Sequence, residues 1–207
     1  MDRRTLLAAL GTGVGGLAGC QRHRGTRSDD DGRRRVSLAG RDAVPEPHEV
    51  SIDVEVLEGA ITPDRPARLR LTVTNEGADR ALSAGEGGCN LFDRARGGSD
   101  DPPGLWLYRP SEAEALQRRG DRWVQDRPQS RPRGFPAWAC SSRQYASGES
   151  VATEYEVWHD YRVEGYFEPG TYRWEEDVQI HADPDAGEPR RPAGRSWGFS
   201  LTVERDD

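Results

Sequence analysis

The sequence predicts an all-β protein, a β-sandwich with a long irregular insertion that contains a short helix. Three observations predict it. Apolar residues recur at every second position in several separate stretches, the period at which a strand turns one face to a core. Clusters of Pro, Gly and Asn separate those stretches. Helical periodicity is nearly absent. At least five strands, few helices and regular turns are the mark of two packed sheets.

The first strand pattern begins after His48. Val50, Ile52, Val54 and Val56 alternate with Ser51, Asp53, Glu55 and Leu57. Ile61-Thr62-Pro63-Asp64-Arg65-Pro66 is a turn region, and Leu69, Leu71 and Val73 alternate again beyond it. Asn75-Glu76-Gly77 closes that strand, because Asn and Gly tolerate positive φ. Cys89–Phe92 and Leu105–Tyr108 are shorter strand candidates. Residues 93 to 148 form the irregular insertion. Gly97-Gly98-Ser99-Asp100-Asp101-Pro102-Pro103 reads as a loop. Ser111 to Arg119 reads as the helix, with Ser111 capping it, Glu114 completing a capping box and Arg118 and Arg119 at the negative end of its dipole. Arg122-Trp123-Val124 is a further strand candidate, and Pro128, Pro132 and Pro136 rule out regular structure after it.

The last third has the clearest pattern. Val151, Thr153, Tyr155 and Val157 share one face. After the Pro169-Gly170 turn, Tyr172, Trp174, Glu176, Val178 and Ile180 share another, with Glu175 and Asp177 pointing away from it. Trp197, Phe199, Leu201 and Val203 make the final strand. Two short segments resemble extracellular immunoglobulin-like domains. Leu71-Thr72-Val73-Thr74-Asn75-Glu76-Gly77 is similar to the strand-and-turn of cell-adhesion-type modules. Glu168-Pro169-Gly170-Thr171-Tyr172 is similar to the start of a late strand whose tyrosine hydroxyl bonds back to the preceding corner. The resemblance implies an immunoglobulin-like sandwich over 48–207 and says nothing of activity.

Composition narrows the function. The chain has 207 residues, 36 of them Asp or Glu, and its 29 basic residues are all arginine, for a formal net charge of −7. A dense carboxylate coat keeps a protein hydrated and argues against nucleic acid as partner. Arginine-only basic usage with abundant acid resembles the proteins of halophiles.

The first twenty residues carry the strongest signal. Arg3 and Arg4 precede an uncharged apolar run, Leu6 to Leu17, which closes on Leu17-Ala18-Gly19-Cys20. A charged start, a short apolar stretch and small residues before a cleavage point spell a secretory signal. The run is too short to span a hydrocarbon core of about 30 Å. Arg3-Arg4-Thr5-Leu6-Leu7 resembles a twin-arginine export signal, and Leu17-Ala18-Gly19-Cys20 resembles a lipobox. Together they resemble the start of a twin-arginine-exported lipoprotein of halophilic archaea. The resemblance implies a signal peptide over 1–19, cleavage before Cys20, and lipidation of that sulfur, which anchors the protein to the membrane on its extracytoplasmic face. Residues 20–47 hold seven arginines and five acids from Arg22 onward and lack apolar periodicity, so they read as a disordered tether.

With Cys20 assigned to the anchor, Cys89 and Cys140 remain. An even pair in an exported protein reads as a disulfide. Closing the loop contributes on the order of 4 kcal/mol in the chain-entropy model. Two free thiols or half of a metal site are the alternatives.

Motifs for chemistry are few. Gly194-Arg195-Ser196-Trp197-Gly198 matches G-x-S-x-G, but no downstream His follows and the context is a strand, not a nucleophile elbow. His159 lies beside Asp160. His181 lies near Glu175, Asp177, Asp183 and Asp185, oxygen and nitrogen types that a metal-dependent hydrolase or a calcium site uses. The bland reading, an acidic strand and turn, ranks first; neither metal nor cofactor is expected. Trp106, Trp123 and Trp138 fall in the insertion and are the candidate binding surface, either a stacking platform or a small core under the loop. The expectation is a membrane-anchored, non-catalytic binding or accessory module for a protein partner; the alternative is a solute- or carbohydrate-binding lipoprotein.

Overall fold

The computed structural model describes residues 33–45, 48–84, 90–92, 96–126, 142–181 and 193–206. The expected leader, Cys20, Cys89, Cys140, Trp138, Asp183 and Asp185 lie outside them. The regular structure of the described chain is nearly all strand. In order it runs β1 (Arg34–Arg41), β2 (Val50–Glu58), β3 (Ala60–Ile61), β4 (Ala67–Asn75), β5 (Arg80–Ala84), β6 (Leu105–Tyr108), α1 (Pro110–Ala113), β7 (Arg118–Arg119), β8 (Arg122–Gln125), β9 (Arg143–Tyr145), β10 (Ser150–His159), β11 (Gly170–His181) and β12 (Ala193–Arg205).

Two sheets form. The first has the order β3-β1-β12-β11-β5-β9; the second has β2-β4-β10-β8-β7, with β6 also paired to β10. Alternating residues of both face one shared core. Ile52, Leu69, Tyr155 and Val157 come from the second sheet, and Trp174, Phe199 and Leu201 from the first. Trp174 stacks on Phe199 with centroids 5.2 Å apart, and Phe92 meets the Phe199 ring edge-on at 5.5 Å. Each such aromatic removes a large apolar area from water, so these rings dominate the cohesion of the core.

The alternation read in Tyr172–Ile180 holds: Tyr172, Trp174, Glu176 and Val178 are buried, and Glu175 and Asp177 are exposed. Glu176 is the odd member, a carboxylate at a core position. It accepts a 2.5 Å bond from the Phe92 N–H and pairs with Arg96, which makes its burial tolerable. The Tyr172 hydroxyl donates to the Glu168 carbonyl at 2.7 Å, tying the strand to its preceding corner.

Four expectations need correction. The sandwich begins at Arg34, not His48, since β1 pairs with β12 over most of its length inside the expected tether. Its pattern is disguised because Arg34 occupies an inward position and is 2% exposed. That guanidinium donates to the backbone carbonyls of Phe167 (2.8 Å) and Tyr166 (3.4 Å), so its hydrogen-bonding capacity is met away from water. The helix is shorter and starts earlier. Pro110 takes the first helical position, a place where its missing N–H costs nothing, and Glu112 reaches back to the Arg109 guanidinium at 2.9 Å. Arg118 and Arg119 belong to β7 instead of a helix end. Leu91 and Phe92 form a turn, not a strand. The insertion is not irregular where described: it supplies β6, β7, β8 and β9.

The Asn75–Gly77 turn forms for a different reason than backbone permissiveness. Asn75 is fully buried, and its amide donates to the carbonyls of Ala78 (2.8 Å) and Ala146 (3.0 Å). Gly77 leaves room for the Arg80 guanidinium and the Glu49 carboxylate, which a Cβ there would push aside.

Candidate functional site

The outward face of the second sheet collects the aromatic residues of the insertion. On β10, Tyr155 and Val157 point into the core, so Glu154, Glu156 and Trp158 point out. Trp106 pairs in register with Trp158, and Tyr108 with Glu156. Trp123 joins from β8, which meets β10 at Val124 and His159. Trp106 and Tyr108 stack at 6.0 Å, Tyr108 meets Trp158 edge-on at 5.5 Å, and Trp123 meets Trp158 edge-on at 5.3 Å. The result is a continuous row, Trp106–Tyr108–Trp158–Trp123. Trp158 at its centre is 1% exposed, while the other three are half-buried. Helix α1 packs near β10 and buries Ala113.

Polar groups hold the row in place. The indole N–H of Trp158 donates to Glu156 at 2.9 Å, and that of Trp123 to the Thr62 carbonyl at 2.7 Å. The Trp106 indole nitrogen is buried and has no hydrogen-bond partner among the described residues. Trp106 is instead clasped by Gly97 and Gly98, where any Cβ would press on the indole. The glycines of that loop thus serve close approach to a ring. Burial, reinforced by the nearby Asp160 charge, pushes the Tyr108 hydroxyl well above its ordinary pKa, so it stays a neutral donor.

Arginines cap the row. The Arg162 guanidinium lies 4.5 Å over the Trp106 ring and that of Arg118 lies 4.1 Å over Trp123. Arg122 lies 5.0 Å over Tyr166, whose hydroxyl accepts the Trp123 backbone N–H at 3.0 Å. Arg162 is fixed from below by Asp160, 3% exposed, through contacts of 2.9 and 2.7 Å. One face each of Trp106 and Trp123 is therefore already covered by a guanidinium group.

The remaining candidates fall elsewhere. His159 is buried. Its Nδ1 accepts from the Phe167 N–H at 3.3 Å and its Nε2 donates to the Val163 carbonyl at 3.0 Å, a tautomer assigned from those partners. Burial holds its pKa below the ordinary value. Both ring nitrogens are engaged, so the His159–Asp160 pair is a structural joint rather than a metal ligand pair. His181 lies 3.4 Å from the Ser83 hydroxyl. Glu175 is held by Ser196 (2.6 Å) and Arg173 (3.1 Å). Among the described residues no group of three or more His, Cys, Asp or Glu side chains gathers for a metal. Ser196 sits mid-strand in β12, with none of the geometry of a nucleophile elbow. A cleft between the sheets, lined by Leu82, Tyr145, Tyr155 and Val178 among others, holds about 30 Å³. That is room for a guest the size of water, and neither Trp106 nor Trp123 lines it.

Sequence reasoning found Trp106 and Trp123 and missed Tyr108, Trp158, Arg118, Arg122 and Arg162. The available signal was Trp158. It falls out of phase with Tyr155 and Val157, so strand alternation turns a tryptophan outward. No family model matches the chain, and neither a curated protein nor a solved structure does. Among the described residues no helix is long and apolar enough to cross a membrane.

Proposed function

We propose that this chain is a non-catalytic binding module, an immunoglobulin-like sandwich anchored to the extracytoplasmic face of the membrane through a lipid on Cys20. The anchor rests on the Arg3-Arg4 leader and the Leu17–Cys20 segment. The immunoglobulin-like assignment is supported by two facing sheets and by the Tyr172–Glu168 corner bond. The Cys89–Cys140 bridge belongs to the same proposal.

One observation carries the binding role: the half-buried aromatic row capped by arginines on the second sheet's outer face. Trp, Tyr and Arg are the side chains that dominate protein–protein binding energy. Guanidinium planes over Trp106 and Trp123 favour a protein partner above a stacked sugar. The test is a pull-down from solubilised membranes with the native lipidated protein, read beside a Trp106→Ala/Trp123→Ala variant. The expected result is a defined partner lost from the variant, with mass spectrometry showing residues 1–19 removed and a lipid on Cys20. An unmodified N-terminus in the soluble cell interior overturns the anchor. A partner retained equally by the variant overturns the role of the row.

A further inference from the structure

We infer that the β7–β8 hairpin recognises the carboxylates of an acidic segment in a partner polypeptide, through the stacked guanidinium groups of Arg118 and Arg122. This rests on the binding-module reading and names the chemistry of its partner.

The arginines around this hairpin are mostly neutralised within the chain. Arg65 sits 3.5 Å from Glu58, Arg119 3.7 Å from Asp126 and Arg162 2.7 Å from Asp160. Arg118 and Arg122 differ. Among the described residues, neither has a carboxylate within ion-pair distance; each is laid on an aromatic ring instead, Arg118 over Trp123 and Arg122 over Tyr166. The two rings are themselves joined by the bond from the Trp123 N–H to the Tyr166 hydroxyl. One donor of Arg118 is fixed on the Pro63 carbonyl at 2.9 Å, which sets the plane of its guanidinium. Stacking orients a guanidinium while leaving its N–H edge open, and that edge matches a carboxylate with two parallel bonds. Ordering two long side chains in advance lowers the entropy lost on binding.

The rest of the molecule sharpens the choice. The chain carries a net charge of −7, so an acidic partner is repelled over most of its surface and meets here two guanidinium groups, on neighbouring aromatic rings, that have no ion-pair carboxylate among the described residues. Asp121, at the hairpin turn beside Arg122, is exposed and restricts the site to a partner whose acids reach past it. Half-buried Trp123 beside the pair offers apolar contact next to the ionic one, which suits a peptide better than a free anion.

The test measures calorimetric binding of a synthetic octaglutamate peptide to the full chain at low ionic strength, with inorganic phosphate and anionic phospholipid vesicles as separate probes. The proposal expects Arg118→Gln/Arg122→Gln to weaken octaglutamate binding at least ten-fold. Arg35→Gln/Arg143→Gln, which removes two remote arginines already paired to carboxylates, should change it less than two-fold. Arg118→Lys/Arg122→Lys keeps the charge but loses the planar edge, and should weaken binding about three-fold. Circular dichroism of each variant confirms the strand signal. Octaglutamate binding that survives the Gln double variant overturns the proposal. Phosphate or vesicles binding as tightly as the peptide, with the same loss in that variant, overturns the assignment to a polypeptide. Neither result depends on Cys20, whose modification tests the anchor by itself.

Discussion

The outer face of the second sheet has two halves that use the same ion pair in opposite settings. In the open half, Arg70 on β4 stands between Glu55 on β2 and Glu154 on β10, at 3.3 and 2.8 Å, and Arg68 reaches the same Glu154 at 2.5 Å. These side chains are between 32% and 65% exposed. Beyond the end of β10, Arg162 meets Asp160 at 2.7 Å, but that carboxylate is 3% exposed and the guanidinium lies on Trp106. Water screens the first group and is excluded from the second acid. Pairing in the open half therefore arranges charge without adding much stability, whereas the buried acid makes its partner necessary. The aromatic half is centred on one buried ring, Trp158, with half-buried rings around it, and the ionic half is a solvated surface.

Breaking the aromatic half should cost most. Trp158→Ala should lower unfolding free energy by about 3–5 kcal/mol, read from the urea midpoint. A loss below about 1 kcal/mol would remove the claim that Trp158 holds the row together. Arg162→Gln should cost about 1–3 kcal/mol, because it leaves the buried Asp160 carboxylate with the Arg162 backbone N–H but without its guanidinium, and most of the loss should persist in 1 M salt. Asp160→Asn/Arg162→Gln should recover part of it; a double variant as unstable as the single would mean Arg162 acts through Trp106 alone.

Acid should distinguish the halves next. His159 has a lowered pKa, so between its ordinary and folded values the unfolded chain binds more protons than the folded one. Its contribution is complete above about pH 6.5 and declines as pH falls below it. Glu149, Glu154 and Glu175 are also held below the ordinary carboxylate value, through hydrogen bonds from backbone or side-chain partners, and lose their contribution only at more acid pH. Urea midpoints between pH 7 and 5 should fall for the parent chain and flatten for His159→Gln. An unchanged slope in that variant would place the early acid loss on another group. The smallest effect belongs to the open half: Glu154→Gln should cost about 0.2–1 kcal/mol at low salt and nothing measurable in 1 M salt.

Much of this architecture was legible from local pattern. The period-2 runs of β2, β4, β10, β11 and the latter part of β12 were readable because each sends Val, Ile, Leu or an aromatic ring inward at alternate positions. The Tyr172 corner was readable too, since it is made within five residues. Elements whose reasons lie far away in sequence were not. β1 has one buried apolar residue, Val36, beside a buried arginine two of whose acceptors are the distant carbonyls of residues 166 and 167. The short β7 and β9 are defined by pairing with β8 and β5 and not by their own composition.

The site divides the same way. Sequence alone determined that Trp106 and Trp123 occur in one stretch and that the chain is acidic and lysine-free. Tertiary structure decided that Trp106 lies across from Trp158, which is 52 positions later, and that arginines cover the Trp106 and Trp123 indoles. Strand alternation is a local steric rule that a few residues express by themselves. Which strands become neighbours, and which charges lose their water, depends on contacts between segments that only the assembled sheets bring together.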